Sequence, residues 1–331
     1  MHLDQRWIGG APRALRPNSW RWPFVVAFLL MATGAHAGPR VAVTIKPLHS
    51  LVAAVMTGVG KPHLIVRGAG SPHAYALKPS DAAALNAADI VFWVGPELET
   101  FLIKPLAGLD GTTRAVALMK APGVDSLETR TGLDWSGADQ PRAHAAHAAH
   151  DDPAHAHLHG DDPHVWLDPR NAAAMANAVA GRLAGIDPSN AELYAENLDR
   201  LVQRLAAFET SVAERLALVR GKPFLVYHDA YAYFERRFGL QAAAAISRTE
   251  GRAPGARRVA HLRRLITQKD IRCVFVEPQF EPRLARVIIE GTNARLAELD
   301  PLAAARPAGP DLYLELIEAM AGAMLDCMGK A

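Results

Sequence analysis

Three histidines stand in short contexts that would hold a side chain still beyond the end of a strand. His73 lies in SPHAYALKPSD, His164 in DPHVWLDP between Pro163 and Pro169, and His228 in FLVYHDAYAYF directly after an apolar run. A neutral imidazole is a good ligand for a divalent transition metal, and the prolines restrict the backbone on either side of His164. The three lie too far apart in the chain for a local zinc knuckle, so a shared site requires the fold to gather them. Spacing alone treats each as an ordinary histidine, and nothing near His49, His63 or His261 says otherwise. Ligating histidines must be neutral, so a site built from them should lose affinity as pH falls through the ~6.5 range of free imidazole. Asp229, Tyr75 and Glu277 lie close to these histidines in sequence or motif and are candidates to accept their second ring N–H.

A second group of histidines has a different character. His144, His147, His150, His155, His157 and His159 fall within Ala138–Asp162, interleaved with Ala, Asp, Pro and Gly and with almost nothing that could enter a core. The stretch reads as a disordered histidine-rich loop that binds transition metals weakly and in many arrangements. The plain alternative is a low-complexity spacer. Cys273 and Cys327 are the only cysteines. In an oxidising compartment they form one disulfide tying a strand to the C-terminal helix; a two-thiolate metal site is the alternative.

The elements that must position these residues follow from hydrophobic periodicity. Apolar runs rich in β-branched and aromatic residues at Val41–Ile45, Leu64–Val66, Ile90–Val94 and Ala115–Leu118 alternate with alanine-rich helical stretches. The pattern resumes at Phe224–Tyr227 and Ile271–Val276 around a helical segment at Val259–Thr267, which predicts a second β/α lobe. Between them, Tyr194, Leu198, Leu201, Leu205, Phe208, Val212 and Leu216 recur at helical steps and predict one long amphipathic helix from Ser189 to Val219. Ser189 with Glu192 makes a capping box at its start, and Gly221 with Pro223 stops it. The expected fold is α/β: two β/α lobes with central sheets, joined by one long rigid helix. Open α/β sheets bind ligands beyond the carboxyl ends of their strands, which is where His73 and His164 of one lobe and His228 of the other would lie.

At the N-terminus, Arg6, Arg13, Arg16 and Arg21 precede the apolar run Phe24–Ala32 and the small-residue sequence Ala35, His36, Ala37. That order predicts a secretory signal peptide cleaved after Ala37, its apolar run too short to span a bilayer. No cysteine follows for lipid attachment, so a protein free in the periplasm is expected. Loss of residues 1–37 removes four arginines and one aspartate and moves the formal charge from +2 to −1, leaving no electrostatic case for nucleic acid or anionic lipid. The chain then divides into a signal peptide at 1–37, an N-terminal lobe at 38–187 with the histidine-rich loop at 138–162, a linking helix at 188–220 and a C-terminal lobe at 221–331.

SPHAYALKPSD, DPHVWLDP, YHDAYAYF and VFVEPQF, in this order, resemble the zinc-binding proteins of bacterial ABC importers, the ZnuA type. TIKPLHSLVAAV at the start, the position of the histidine-rich loop and the Cys273/Cys327 pair resemble that family as well. The resemblance covers essentially the whole exported chain. It implies that Zn²⁺ is held between the lobes by His73, His164 and His228, that Cys273 and Cys327 form the family's C-terminal disulfide, and that the partners are the membrane permease subunits of an importer. It implies a carrier, a monomer and not an enzyme. Some zinc-binding members place a glutamate before the first histidine; Pro72 stands there in this chain, so Asp300 in ELDPL, or water, is expected to complete a tetrahedron. Manganese- and iron-binding relatives share the fold but tend to show a glutamate where this chain has His228, and three imidazoles with one oxygen favour zinc over a harder ion. An exported zinc hydrolase is the reading from another class; it lacks an HExxH helix and any general base beyond Asp229 and Glu277.

Overall fold

The computed structural model describes residues 38–109, 114–135, 160–247 and 254–329. The signal-peptide segment and the histidine-rich group from His144 to His159 lie outside the described residues. In the first half, strands β1 (Val41–Val43), β2 (His63–Leu64), β3 (Ile90–Trp93) and β4 (Ala115–Ala117) form a parallel sheet in the order β2-β1-β3-β4. Helices α1 (Lys46–Val55), α2 (Pro79–Ala87) and α3 (Ile103–Ala107) are interleaved with them. Strands β1 and β3 are buried at every position, as parallel strands covered on both faces must be.

Next come α4 (Pro169–Ile186) and the long α5 (Ala191–Leu216). In the second half, β5 (Phe224–Val226), β6 (Ala242–Ala245), β7 (Cys273–Val276) and β8 (Arg295–Glu298) repeat the same topology, in the order β6-β5-β7-β8 and all parallel. Helices α6 (Ala232–Phe238), α7 (Ala256–Gln268), α8 (Arg283–Ile289) and α9 (Leu312–Met328) complete it. Two of these strands escape the sequence pattern. The four alanines of β6 carry the strongest helix propensity of any residue, yet all are buried in the sheet, where a small side chain suits close packing. At the other edge, β8 begins with Arg295 and ends with Glu298, charges that discourage pairing with another chain.

Helix α5 runs about 40 Å at 1.5 Å per residue and buries Tyr194, Leu201, Leu205, Val212 and Leu216 along one stripe. Its start differs from the expected capping box. Pro188 opens a 3₁₀ turn that puts Asn190 at the N-cap, where no side chain caps the helix. Asp187 gathers the local donors instead, accepting from Ser189 Oγ (2.6 Å), Asn190 Nδ2 (2.7 Å) and Tyr194 OH (2.8 Å).

The two sheets are joined by more than this helix. One apolar cluster runs from β1, β3 and α1 through α4 and α5 to Phe224, Phe275 and α9. Helix α9, from the end of the chain, packs on α1 and α5. A strap at Glu128–Trp135 also crosses from the first half to the second: Trp135 N donates to Ala243 O (2.7 Å) and Ala245 N to Leu133 O (3.0 Å), an antiparallel extension beyond β6. Arg130 within the strap lies over the Trp135 ring and pairs with both Asp229 and Glu235. Cys273 and Cys327 form a disulfide that joins β7 to α9. No helix among the described residues is long and apolar enough to cross a membrane.

Candidate metal site

Segments that follow β2 of the first sheet and β5, β7 and β8 of the second line one cleft. His73 lies in the loop between β2 and α2, where its N–H donates to Ser71 Oγ (3.2 Å). His164 immediately precedes a 3₁₀ turn at Val165–Leu167 that leads into α4. Asp168 anchors that entry: it accepts from Arg170 N (2.9 Å) at the helix start and from Arg237 Nε (2.8 Å) and Nη2 (2.6 Å) of the second half. His228 lies two residues beyond β5, the first strand of the second sheet.

The three imidazoles meet edge to edge. His164 Nε2 is 3.3 Å from His73 Nε2 and 3.4 Å from His228 Nε2, and the three ligand atoms all lie within 4.8 Å of one another. The other ring nitrogens of the two buried histidines point away, onto buried carboxylates. His164 Nδ1 donates to Asp162 Oδ1 (2.7 Å) and His228 Nδ1 to Glu277 Oε1 (2.6 Å). A carboxylate at Nδ1 selects the tautomer with its proton there and leaves the Nε2 lone pair facing the shared point, the arrangement that metal-binding histidines usually have.

Electrostatics favour neutral rings. Burial, reinforced by the neighbouring imidazoles, holds His73 well below the ordinary histidine value, and burial pulls His164 down to about 3. Burial also lifts Asp162 to about 7, against the His164 backbone N–H and Arg130, which favour its charged form. A divalent cation at the three nitrogens would reverse that balance and favour the carboxylate. Pro72, Trp166, Gln279, Pro301 and Leu302 line the rest of the cleft.

The remaining expected residues are placed elsewhere. Asp300 is not among the converging atoms: its Oδ1 accepts from Leu302 N (2.9 Å) and from Gln279 Nε2 (3.4 Å) and its Oδ2 from Ala304 N (2.5 Å), so the carboxylate closes its own turn and meets the cleft only through Gln279. Asp229, adjacent to His228, is turned onto Arg130 rather than onto a histidine. Tyr75 donates to Asp81 Oδ2 (2.9 Å) and Ile65 O (3.3 Å). Of the three residues considered as partners of the histidines, only Glu277 holds one. His49 binds Pro62 O, His63 sits by Arg67 and His261 by Asp134, all away from the cleft.

Asp162 is a site residue that the sequence conceals, because it stands at the end of the polar histidine-rich stretch. It is buried, and its Oδ1 also accepts the backbone N–H of His164 (3.0 Å). An aspartate two residues before a histidine is the spacing of an Asx turn, a local signal that could have found it.

The chain matches the family model described as zinc-uptake complex component A, periplasmic, over residues 41–327. It is 45% identical over 323 residues to the high-affinity zinc uptake system protein ZnuA of Brucella suis, covering 92% of this chain and 97% of that protein. The protein of the same name from Yersinia pestis is 33% identical over 317 residues, covering 95% of this chain and 99% of its own length. A crystal structure of ZnuA superposes with a TM-score of 0.71 at 24% identity, covering 88% of this chain and 99% of that one.

Proposed function

The chain belongs to the family of periplasmic zinc-uptake complex component A, and on that premise we propose that it captures Zn²⁺ with His73, His164 and His228 and passes it to the membrane subunits of an ABC importer. The observation that carries the ligand set is the convergence of three Nε2 atoms within 4.8 Å, two of them backed by buried carboxylates. In this reading the signal peptide is cut after Ala37, and the exported chain is a monomer without a lipid anchor. Residues 38–187 and 221–331 are its jaws and 188–220 the strut between them. The shared core argues for local loop movement on binding rather than a wide swing of the lobes.

The fourth place on the metal goes to water. Asp300 spends both oxygens on backbone N–H groups, and Pro72 has no ligating side chain. Three nitrogens and one oxygen suit zinc better than manganese, and copper binds such a set at least as tightly, so metal supply shares in the selection. As a solute-binding protein the chain performs no hydrolysis. Both acids that a hydrolase would draw on as general base are engaged, Asp229 by Arg130 and Glu277 by His228.

Competition between zinc and manganese for the metal-stripped protein tests the assignment. Zinc is expected to prevail by a hundredfold or more; parity, or a preference for manganese, would move the chain to the manganese- and iron-binding relatives. Repeating the zinc titration at lower pH tests the ligand set. Three free imidazoles would cost about a thousandfold in affinity per pH unit below ~6.5. Because burial keeps His73 and His164 neutral well below that range, the loss between pH 6 and pH 5 should fall well short of that figure. Separately, Asp162→Asn and Glu277→Gln should each weaken zinc binding about 10–100-fold while leaving the fold intact. A change below threefold in both would mean that the carboxylates do not orient the ligands.

A further inference from the structure

Lys46 is a buried cation that the three-histidine site does not use. It opens α1 at the carboxyl end of β1, within the TIKPLHSLVAAV segment, and is only 8% exposed. Its ammonium reaches across the molecule to the turn after β8 and donates to three backbone carbonyls: Ala304 O (2.6 Å), Arg306 O (2.8 Å) and Ala303 O (3.3 Å). An ammonium has three N–H donors, so this one turn uses the whole group.

The turn that it holds is the one that closes on Asp300. Ala303 has φ of +52°, a left-handed conformation that is strained for an L-residue with a Cβ and persists only where the surroundings enforce it. That conformation lies between Asp300 and Ala304, whose N–H binds Asp300 Oδ2, while Leu302 N binds Oδ1. Pro301 and Leu302 from the same turn line the cleft beside His164 and His228, and Gln279, which also lines it, donates to Asp300 Oδ1 (3.4 Å), so Asp300 sits against the wall of the site. Two further donors from the first half fix neighbouring carbonyls: Trp166 Nε1 binds Pro301 O (2.9 Å) and Ser50 Oγ binds Pro310 O (3.0 Å). Lys46 is the only charged member of this set, and Asp300 acts on its ammonium electrostatically.

We propose that Lys46 is a positioning residue that sets the metal's fourth ligand: by pinning the Asp300–Arg306 turn it keeps the Asp300 carboxylate on its own backbone and leaves that place to water. Without the three bonds the left-handed Ala303 loses its support and the turn relaxes. The carboxylate then exchanges two backbone N–H groups for a divalent cation, a stronger partner for a charged oxygen. A carboxylate brings a negative charge that water does not, so a divalent cation is held more tightly and the ligand field at the metal changes. Lys46 thus acts on the metal's coordination without touching the metal.

The inference rests on the three-histidine reading, and the test separates the two. The Co²⁺ spectrum and the Zn²⁺ affinity are measured for the unaltered protein, Lys46→Met, Asp300→Asn and the double variant. Lys46→Met should change the Co²⁺ ligand-field bands and raise the Zn²⁺ affinity by about tenfold or more. Asp300→Asn in that background should restore both, whereas a simple loss of positive charge near the metal would persist in the double variant. Asp300→Asn alone should leave the Co²⁺ spectrum unchanged, and this holds as a test even if Lys46→Met fails to fold. The proposal is overturned by a Lys46→Met spectrum and Zn²⁺ affinity like those of the unaltered protein, by a shift that survives Asp300→Asn, or by an altered spectrum in Asp300→Asn alone. Failure of the unaltered protein to bind zinc through its histidines would instead remove the functional reading beneath it.

Discussion

Replacing His164 by alanine is expected to weaken zinc binding about a thousandfold, more than any change to the groups behind the ligands. Structural zinc sites with four protein ligands bind with roughly 10–16 kcal/mol, so one ligand accounts for about 3–4 kcal/mol, and each 1.4 kcal/mol is a factor of ten. His164 stands at the upper end of that range because it is central: its Nε2 is the atom within 3.3–3.4 Å of both other ring nitrogens. Its removal also leaves Asp162 buried without the imidazole N–H that it accepts, adding a cost to the fold that zinc no longer offsets. Titration against a chelator of known affinity measures the loss, and His63→Ala, an exposed histidine outside the cleft, is the control expected to change nothing. A loss below tenfold for His164→Ala would sink the three-histidine assignment.

Opening the Cys273–Cys327 bridge should cost about 4 kcal/mol of stability and lower the melting temperature by roughly 10 °C. The bridge closes a loop with a sequence separation of 54, and releasing it returns that closure entropy to the unfolded chain. Both cysteines are buried, and the bridge ties the start of β7 to the end of α9, the helix whose other face packs on α1 and α5. Its loss therefore loosens the tie between the second sheet and the helices that link it to the first. The candidate metal site lies at the opposite end of β7, where Glu277 holds His228, so zinc affinity at low temperature should stay within about threefold. Thermal unfolding of the Cys273→Ser, Cys327→Ser variant against the unaltered protein, both stripped of metal, decides the point. A shift of less than ~2 °C would show that packing of α9 alone holds this end of the chain.

Much of this architecture was legible because burial on both faces of a parallel strand demands an unbroken apolar run. Val41–Val43, Ile90–Trp93 and Phe224–Val226 are such runs, and each lies where the pattern placed a strand. The stripe from Tyr194 to Leu216 declared α5 for the equivalent reason at helical period. The failures have local physical causes. The alanines of β6 carry a helix preference that the sheet overrides, and Pro188 moves the start of α5 so that Ser189 and Glu192 no longer form its cap.

The sequence by itself singled out His73, His164 and His228 as candidate ligands, by a strand-end context that depends only on neighbouring residues and by the family resemblance of the motifs around them. It did not determine what backs them. Asp229 is adjacent to His228 but faces Arg130, while Glu277, which holds His228, comes from another strand. Asp162, counted with a polar loop, is buried against His164. Asp300 is turned onto its own backbone in a turn fastened by Lys46 from the far end of the chain. A hydrogen bond is won by the donor or acceptor that arrives within about 3 Å at the right angle, and only the packing of distant elements decides which one arrives.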